Sequence, residues 1–222
     1  MKKVIGTSSI IVLFLSLMTG SCGKNNKTNQ GIDAFIPTDT QNWWRYEAND
    51  GTKFKRYYTG RDTVVNGFSF NLYEQISDGG TIVKEFYAKF NGNYYSLLKI
   101  NDDGTAYVKS QILNGEPKVG DTWENQDNLT YNAVNFYAKI NSSIISTTDT
   151  VNMNGATLDN VVVVKSRLFA KYLPTDQWED CGYVIQKFKK GVGIVGEDYD
   201  FHVGTFVNKT YNNRITEYYI SK

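Results

Sequence analysis

Asp62-Thr63-Val64-Val65-Asn66-Gly67-Phe68-Ser69-Phe70-Asn71-Leu72-Tyr73-Glu74-Gln75-Ile76 decides between helix and sheet. Asn66-Gly67 accepts the positive φ angles that a two-residue hairpin turn demands, and strand-forming residues flank it on both sides. A variant of the unit recurs as Asp149-Thr150-Val151-Asn152-Met153-Asn154-Gly155, followed by the strand-like Leu158 to Lys165. Two related β-meander halves, 35–126 and 127–222, account for the repeat; turn chemistry that merely recurs is the other explanation.

Outward from this hairpin the pattern continues. Further strand-like runs are Trp43 to Glu47, Lys53 to Tyr58, Thr81 to Phe90, Tyr94 to Ile100, Ala106 to Leu113, Tyr131 to Ile140, Asn160 to Phe169, Tyr183 to Phe188 and Ile215 to Ile220. Between runs lie turn sequences such as Asn49-Asp50-Gly51, Asp78-Gly79-Gly80, Asn91-Gly92-Asn93, Asp102-Asp103-Gly104 and Asn114-Gly115. Sixteen Tyr, 12 Phe and 4 Trp against 3 Pro suit strands, and no segment keeps a helical apolar period over ten residues. The expectation is an all-β domain over 35–222, a strongly curved antiparallel sheet forming a partial barrel or a two-sheet sandwich.

The N-terminus reads as an address. Met1-Lys2-Lys3, an apolar stretch from Ile10 through Met18 and Thr19-Gly20-Ser21-Cys22 have the order of an export signal. The apolar run is too short for a helix crossing a bilayer, which takes about 20 residues. The end of the signal resembles the looser lipoboxes of Bacteroidota, with Thr19 where an aliphatic residue is usual. That resemblance implies removal of 1–21 and lipidation of Cys22; ordinary cleavage near Ser21, leaving Cys22 free or paired with Cys181, is the alternative. Residues 22–34 follow as a polar tether whose composition cannot offset the entropy of ordering. Gly23 to Gln30, just after the cysteine, lack the acidic residues that accompany surface export in such lipoproteins, which points to an outer-membrane anchor facing the periplasm.

Composition excludes several functions. Without 1–21, which hold Lys2 and Lys3 and no acid, 22 basic residues face 23 acidic ones, a balance unsuited to nucleic acid. A single histidine, His202, cannot build a multi-histidine zinc site or serve a thiol protease at Cys181, so neither metal nor cofactor is expected. Lys190-Gly191-Val192-Gly193-Ile194-Val195-Gly196 has part of a dinucleotide fingerprint but no following helix, so its glycines are read as bends or close backbone approaches.

Lys118-Val119-Gly120-Asp121-Thr122-Trp123, Asn160-Val161-Val162-Val163-Val164-Lys165 and Lys189-Lys190-Gly191-Val192-Gly193-Ile194-Val195 resemble signatures of uncharacterised, β-rich secreted lipoproteins of Bacteroidota. The resemblance spans much of Tyr46 to Val195 and implies compartment and fold, with no chemistry to carry over.

The doublets Trp43-Trp44, Tyr57-Tyr58 and Tyr94-Tyr95 supply candidate ligand-binding rings. Successive strand residues face opposite ways, so each doublet places one ring in the core and one outside, where it stacks on a sugar, holds an acyl chain or covers the sheet. Asp-Thr-Val at 62–64 and 149–151 resembles a Bacteroidota O-glycosylation acceptor, making Thr63 and Thr150 candidates. Glu179-Asp180 and Glu197-Asp198-Tyr199-Asp200 are read as solvated turns, or else as hydrolase carboxylates. The leading expectation is a non-enzymatic cell-envelope lipoprotein whose domain binds a lipid, an acyl chain or an envelope protein. A glycan-binding accessory lipoprotein is the alternative, and a carboxylate-dependent hydrolase the third reading.

Overall fold

The computed structural model describes residues 34–65, 67–99, 107–131, 134–172, 177–203 and 207–221. Twelve strands occupy them: β1 Trp43–Ala48, β2 Lys53–Val65, β3 Phe68–Ser77, β4 Ile82–Phe90, β5 Asn93–Lys99, β6 Tyr107–Leu113, β7 Thr122–Tyr131, β8 Val134–Met153, β9 Ala156–Tyr172, β10 Glu179–Lys189, β11 Gly193–Val203 and β12 Val207–Tyr219. All pairings are antiparallel in one sheet ordered β6-β5-β4-β3-β2-β1-β12-β11-β10-β9-β8-β7, and no helix occurs among the described residues. Curled until its two edges face each other, the sheet is a nearly closed barrel of two six-stranded meanders joined by β1 and β12. The break expected at 126/127 falls inside β7, and the meanders instead join through 114–121. The repeated Asp-Thr-Val sequences occupy equivalent places, the second-to-third-strand hairpin of each half.

Up-and-down connectivity sorts the turns onto two ends. The connections through Gly67, 91–92, 114–121, 154–155 and 190–192 form the lower end, and those at 49–52 and 78–81 lie at the upper end. Ala34 enters at the lower end, where its C=O accepts from the Gly191 N–H at 2.8 Å. It is buried, so the ordered domain includes the last residue assigned to the tether. Residues 1–33 and the turn expected at 102–104 lie outside the described residues.

Side chains plug the lower half of the lumen. Phe35, Ile36, Trp44, Tyr46, Tyr58, Tyr73, Tyr87, Phe188, Val192 and Ile194 belong to one cluster. The plug is also bonded: Tyr73 OH donates to Pro37 C=O at 2.7 Å, Phe35 N–H to Tyr94 OH at 3.1 Å, and Trp44 Nε1 to Val192 C=O. A second cluster, Phe70, Leu72, Phe86, Ala88 and Leu97, lies on the opposite face of β3–β5. Beside it β2 bulges between Tyr58 and Asp62, and pairing with β3 resumes from Asp62 to Val65.

The seam between β6 and β7 is closed by side chains. Asn125 acts as a piece of strand: its Oδ1 accepts from the Gln111 N–H at 2.9 Å and its Nδ2 donates to the Gln111 C=O at 3.2 Å. Trp123 Nε1 donates to the same carbonyl at 2.8 Å. Two glycines are needed for close approach. A Cβ on Gly115 would stand 2.1 Å from Gly92 O, and one on Gly182, at φ +100°, would stand 1.8 Å from Asp200 O.

Candidate functional site

Alternation along the strands turns one polar residue inward on each of seven neighbours: Glu85 on β4, Gln75 on β3, Arg56 on β2, Tyr46 on β1, Asn213 on β12, Glu197 on β11 and Gln186 on β10. Only 3% of the Arg56 side chain and 4% of Glu197 are exposed, against 19% of Glu85. Arg56 Nη2 donates to Glu85 Oε1 at 3.0 Å and to Glu197 Oε2 at 3.4 Å, and Nη1 to Tyr46 OH at 3.0 Å. Gln75 and Gln186 each donate to one of the carboxylates, and Asn213 Nδ2 to Glu197. Arg56 Nε stands 2.7 Å from Glu85 Oε2 but off the N–H axis, an ion pair without a directed hydrogen bond.

One cation thus faces two carboxylates. Burial opposes charge on Arg56, but Glu85, Tyr46, Tyr87 and Glu197 together outweigh it and hold the guanidinium charged. Burial pushes the Glu85 carboxyl above its usual range despite Arg56, and Glu197 adds to the rise. A raised carboxyl beside an arginine is a recurrent feature of reactive sites. Here the void bounded by Tyr46, Arg56, Tyr73 and Tyr87 holds about 10 Å³, the space of one water.

A larger hollow lies on the face turned away from the core. It is a shallow, open depression of about 570 Å³ over β7–β9, lined by Thr122, Glu124, Asn141, Ser143, Lys165 and Arg167 with the intervening Trp123 and Ser142. Register explains the lining: Thr122, Ser143 and Lys165 align across three strands, as do Glu124, Asn141 and Arg167. Aromatic rings border it. Lys165 Nζ sits 4.7 Å from the Tyr183 ring, Arg167 lies over Phe169, and Lys139 Nζ lies 5.3 Å from Phe169 and 4.6 Å from Trp178.

The six aromatic candidates split as alternation requires and do not converge on one site. Trp44, Tyr58 and Tyr94 are the core members of their doublets, buried in the plug with bonded or packed partners. Trp43, Tyr57 and Tyr95 face outward: Lys55 and Arg45 cover Trp43, Tyr57 OH donates to Glu74 at 2.6 Å, and Lys109 lies against Tyr95. Thr63 is half-buried near the first hairpin tip and Thr150 exposed near the second. Cys22 lies outside the described residues, while Cys181 is a buried thiol whose pKa burial raises.

The acidic pairs are not turns. Glu179-Asp180 begins β10, Glu197 to Asp200 run through β11, and Glu197 points into the belt. Asp180 is paired with Arg167 and accepts the Gly182 N–H, contacts that hold its carboxyl below the usual range, while Asp198 accepts from Asn212. The glycine cluster forms the β10–β11 hairpin turn, with Gly193 packed beside Trp44. No three His, Cys, Asp or Glu side chains among the described residues gather as a metal site would require.

Arg56, Glu85 and the hollow all escape a reading of the sequence. The one available signal was Phe54-Lys55-Arg56-Tyr57-Tyr58, whose alternation puts Arg56 on the buried face with Phe54 and Tyr58.

Neither known families nor curated proteins match the chain. Among solved structures, a "putative lipoprotein" from Parabacteroides distasonis matches at 13% identity, covering 83% of this chain and 98% of that one, with a TM-score of 0.52. A "putative exported protein" with a YmcC-like fold from Bacteroides fragilis matches at 11% identity over 84% of this chain and 99% of that one, TM-score 0.44. At this identity the first likeness concerns the fold, and the second is weaker still.

Proposed function

We propose that this chain is an exported envelope lipoprotein, anchored through Cys22 to the periplasmic side of the outer membrane, and that it binds without catalysis through the hollow over β7–β9. The observation that carries the reading is the contrast between about 10 Å³ beside the belt and about 570 Å³ in the open hollow on the outer face. An acyl chain has no room beside the belt. The outer lining of hydroxyl, amide, carboxylate and two cationic groups, next to aromatic rings, suits a polyhydroxylated ligand carrying an anionic group, so an acidic glycan is preferred over a lipid. Export and lipidation rest on the signal-like N-terminus, and the described lipoprotein of the same fold agrees with them.

The test is titration of the protein with a panel of acidic and neutral oligosaccharides, alongside Lys165→Ala and Arg167→Ala. Binding of an acidic member weakened tenfold or more by either substitution is the expected result. Silence across the panel, with an acyl ligand copurifying in native mass spectra, would reverse the preference.

A further inference from the structure

We infer that the lower rim of the barrel is a membrane-contact surface that rests on the lipid headgroups beneath the anchor. Among the described residues, six large hydrophobic side chains are exposed, and four of them, Val64, Phe90, Val119 and Tyr219, belong to lower-end turns or the strand ends beside them. Val64 and Val119 are 65% and 64% exposed. They sit in different segments, around the part of the rim that runs from β12 through β2 and β4 to the β6–β7 connection. Of the other two, Ile82 follows an upper turn and Ile145 lies in mid-strand.

Apolar side chains left in water at one end of a barrel lower their free energy when a second apolar phase meets that end. The occupant follows from where the chain goes. Ala34 enters at this same end, 12 positions beyond Cys22. A coil of that length spans roughly 20 Å on average, less than the roughly 33 Å height of a ten-residue strand. The lower rim is therefore the end held nearest to whatever carries Cys22. Exposed Lys89 and Lys118 each precede or neighbour an apolar residue of the rim, Phe90 and Val119, the arrangement in which an apolar tip enters the interface while the ammonium reaches phosphate. Tyr219 has the amphipathic ring favoured at that depth. The inference leans on the anchor expected at Cys22 and is independent of what the hollow binds.

Full-length protein isolated from the membranes of the cells that make it, as the single variants Val119→Cys, Phe90→Cys and Ile82→Cys, is labelled with an NBD fluorophore. Buried Cys181 keeps the background low. The variants are then reconstituted with vesicles of phosphatidylethanolamine and phosphatidylglycerol. Labels at 119 and 90 should shift to the blue and be quenched by lipid-borne quenchers, while the label at 82 stays aqueous. Equal, water-like emission at all three positions would overturn the inference, as would failure of the protein to associate with the vesicles. Neither result bears on glycan titration.

Discussion

Replacing Arg56 by Met tests the belt that spans the lumen. In the native protein Arg56 is the cation facing Glu85 and Glu197 in the belt, and both carboxylates are held where water is scarce. Removing one partner of a buried ion pair costs about 3–5 kcal/mol because the remaining charge has lost its counterpart. With a urea m-value of about 2 kcal/mol/M, the unfolding midpoint should fall by about 1.5–2.5 M. The loss should depend on pH. The folded Glu85 carboxyl already titrates above its ordinary 4.5, so the folded state binds more protons than the unfolded one over the interval above 4.5. Stability from this group is fully present below 4.5 and declines as pH rises through the raised folded value. Without Arg56 the carboxyl rises further, so the variant should lose more stability at pH 8 than at pH 5, with a steeper pH slope than wild type. Adding Glu85→Gln and Glu197→Gln should flatten that slope. Urea denaturation followed by tryptophan fluorescence at the two pH values measures all of this. A loss below about 1 kcal/mol, or one equal at both pH values, would refute the account of the belt.

Other substitutions address closure, backbone and thiol. Asn125→Ala deletes two bonds to the Gln111 main chain and should cost about 1–2 kcal/mol, lowering Tm by about 3–6 °C; unchanged hydrogen exchange at the Gln111 amide would argue against a side-chain clasp. Gly182→Ala introduces a Cβ where Asp200 O already stands, at a positive φ, and should destabilise by well over about 1 kcal/mol; a neutral result in thermal melts would show that β10 and β11 can part without loss. The Cys181 thiol should react with Ellman's reagent at pH 8 only after urea is added, because burial both shields it and raises its pKa; prompt reaction in buffer would contradict its placement. Cys22→Ser should move the protein from the membrane fraction to the soluble fraction, and mass analysis of the mature N-terminus reads the acylation directly.

Strand identity was legible wherever turn chemistry and alternation agreed. Gly67 and Asn154-Gly155 adopt positive φ at the hairpin tips, as Asn-Gly turns demand, and the aromatic doublets divide between core and exterior as period-two geometry requires. β7 was missed because Thr122-Trp123-Glu124-Asn125-Gln126-Asp127-Asn128 has little strand propensity, and an edge strand needs little. β11 was misread because its acids resemble a solvated turn, and nothing local reveals that Glu197 has a partner 141 residues away.

The sequence by itself determined the all-β class, the curved antiparallel sheet, the repeated hairpin and the signal-like N-terminus, since each depends on interactions among residues close along the chain. Only the tertiary structure decided that the two meanders join through β1 and β12, that Asn125 clasps the seam, that Arg56 meets Glu85 and Glu197, and that side chains plug the lower half of the lumen while the hollow lies outside. Those features arise when strands distant in sequence become neighbours. The free energy of a buried charge or an unpaired edge depends on that neighbour, which no local pattern encodes.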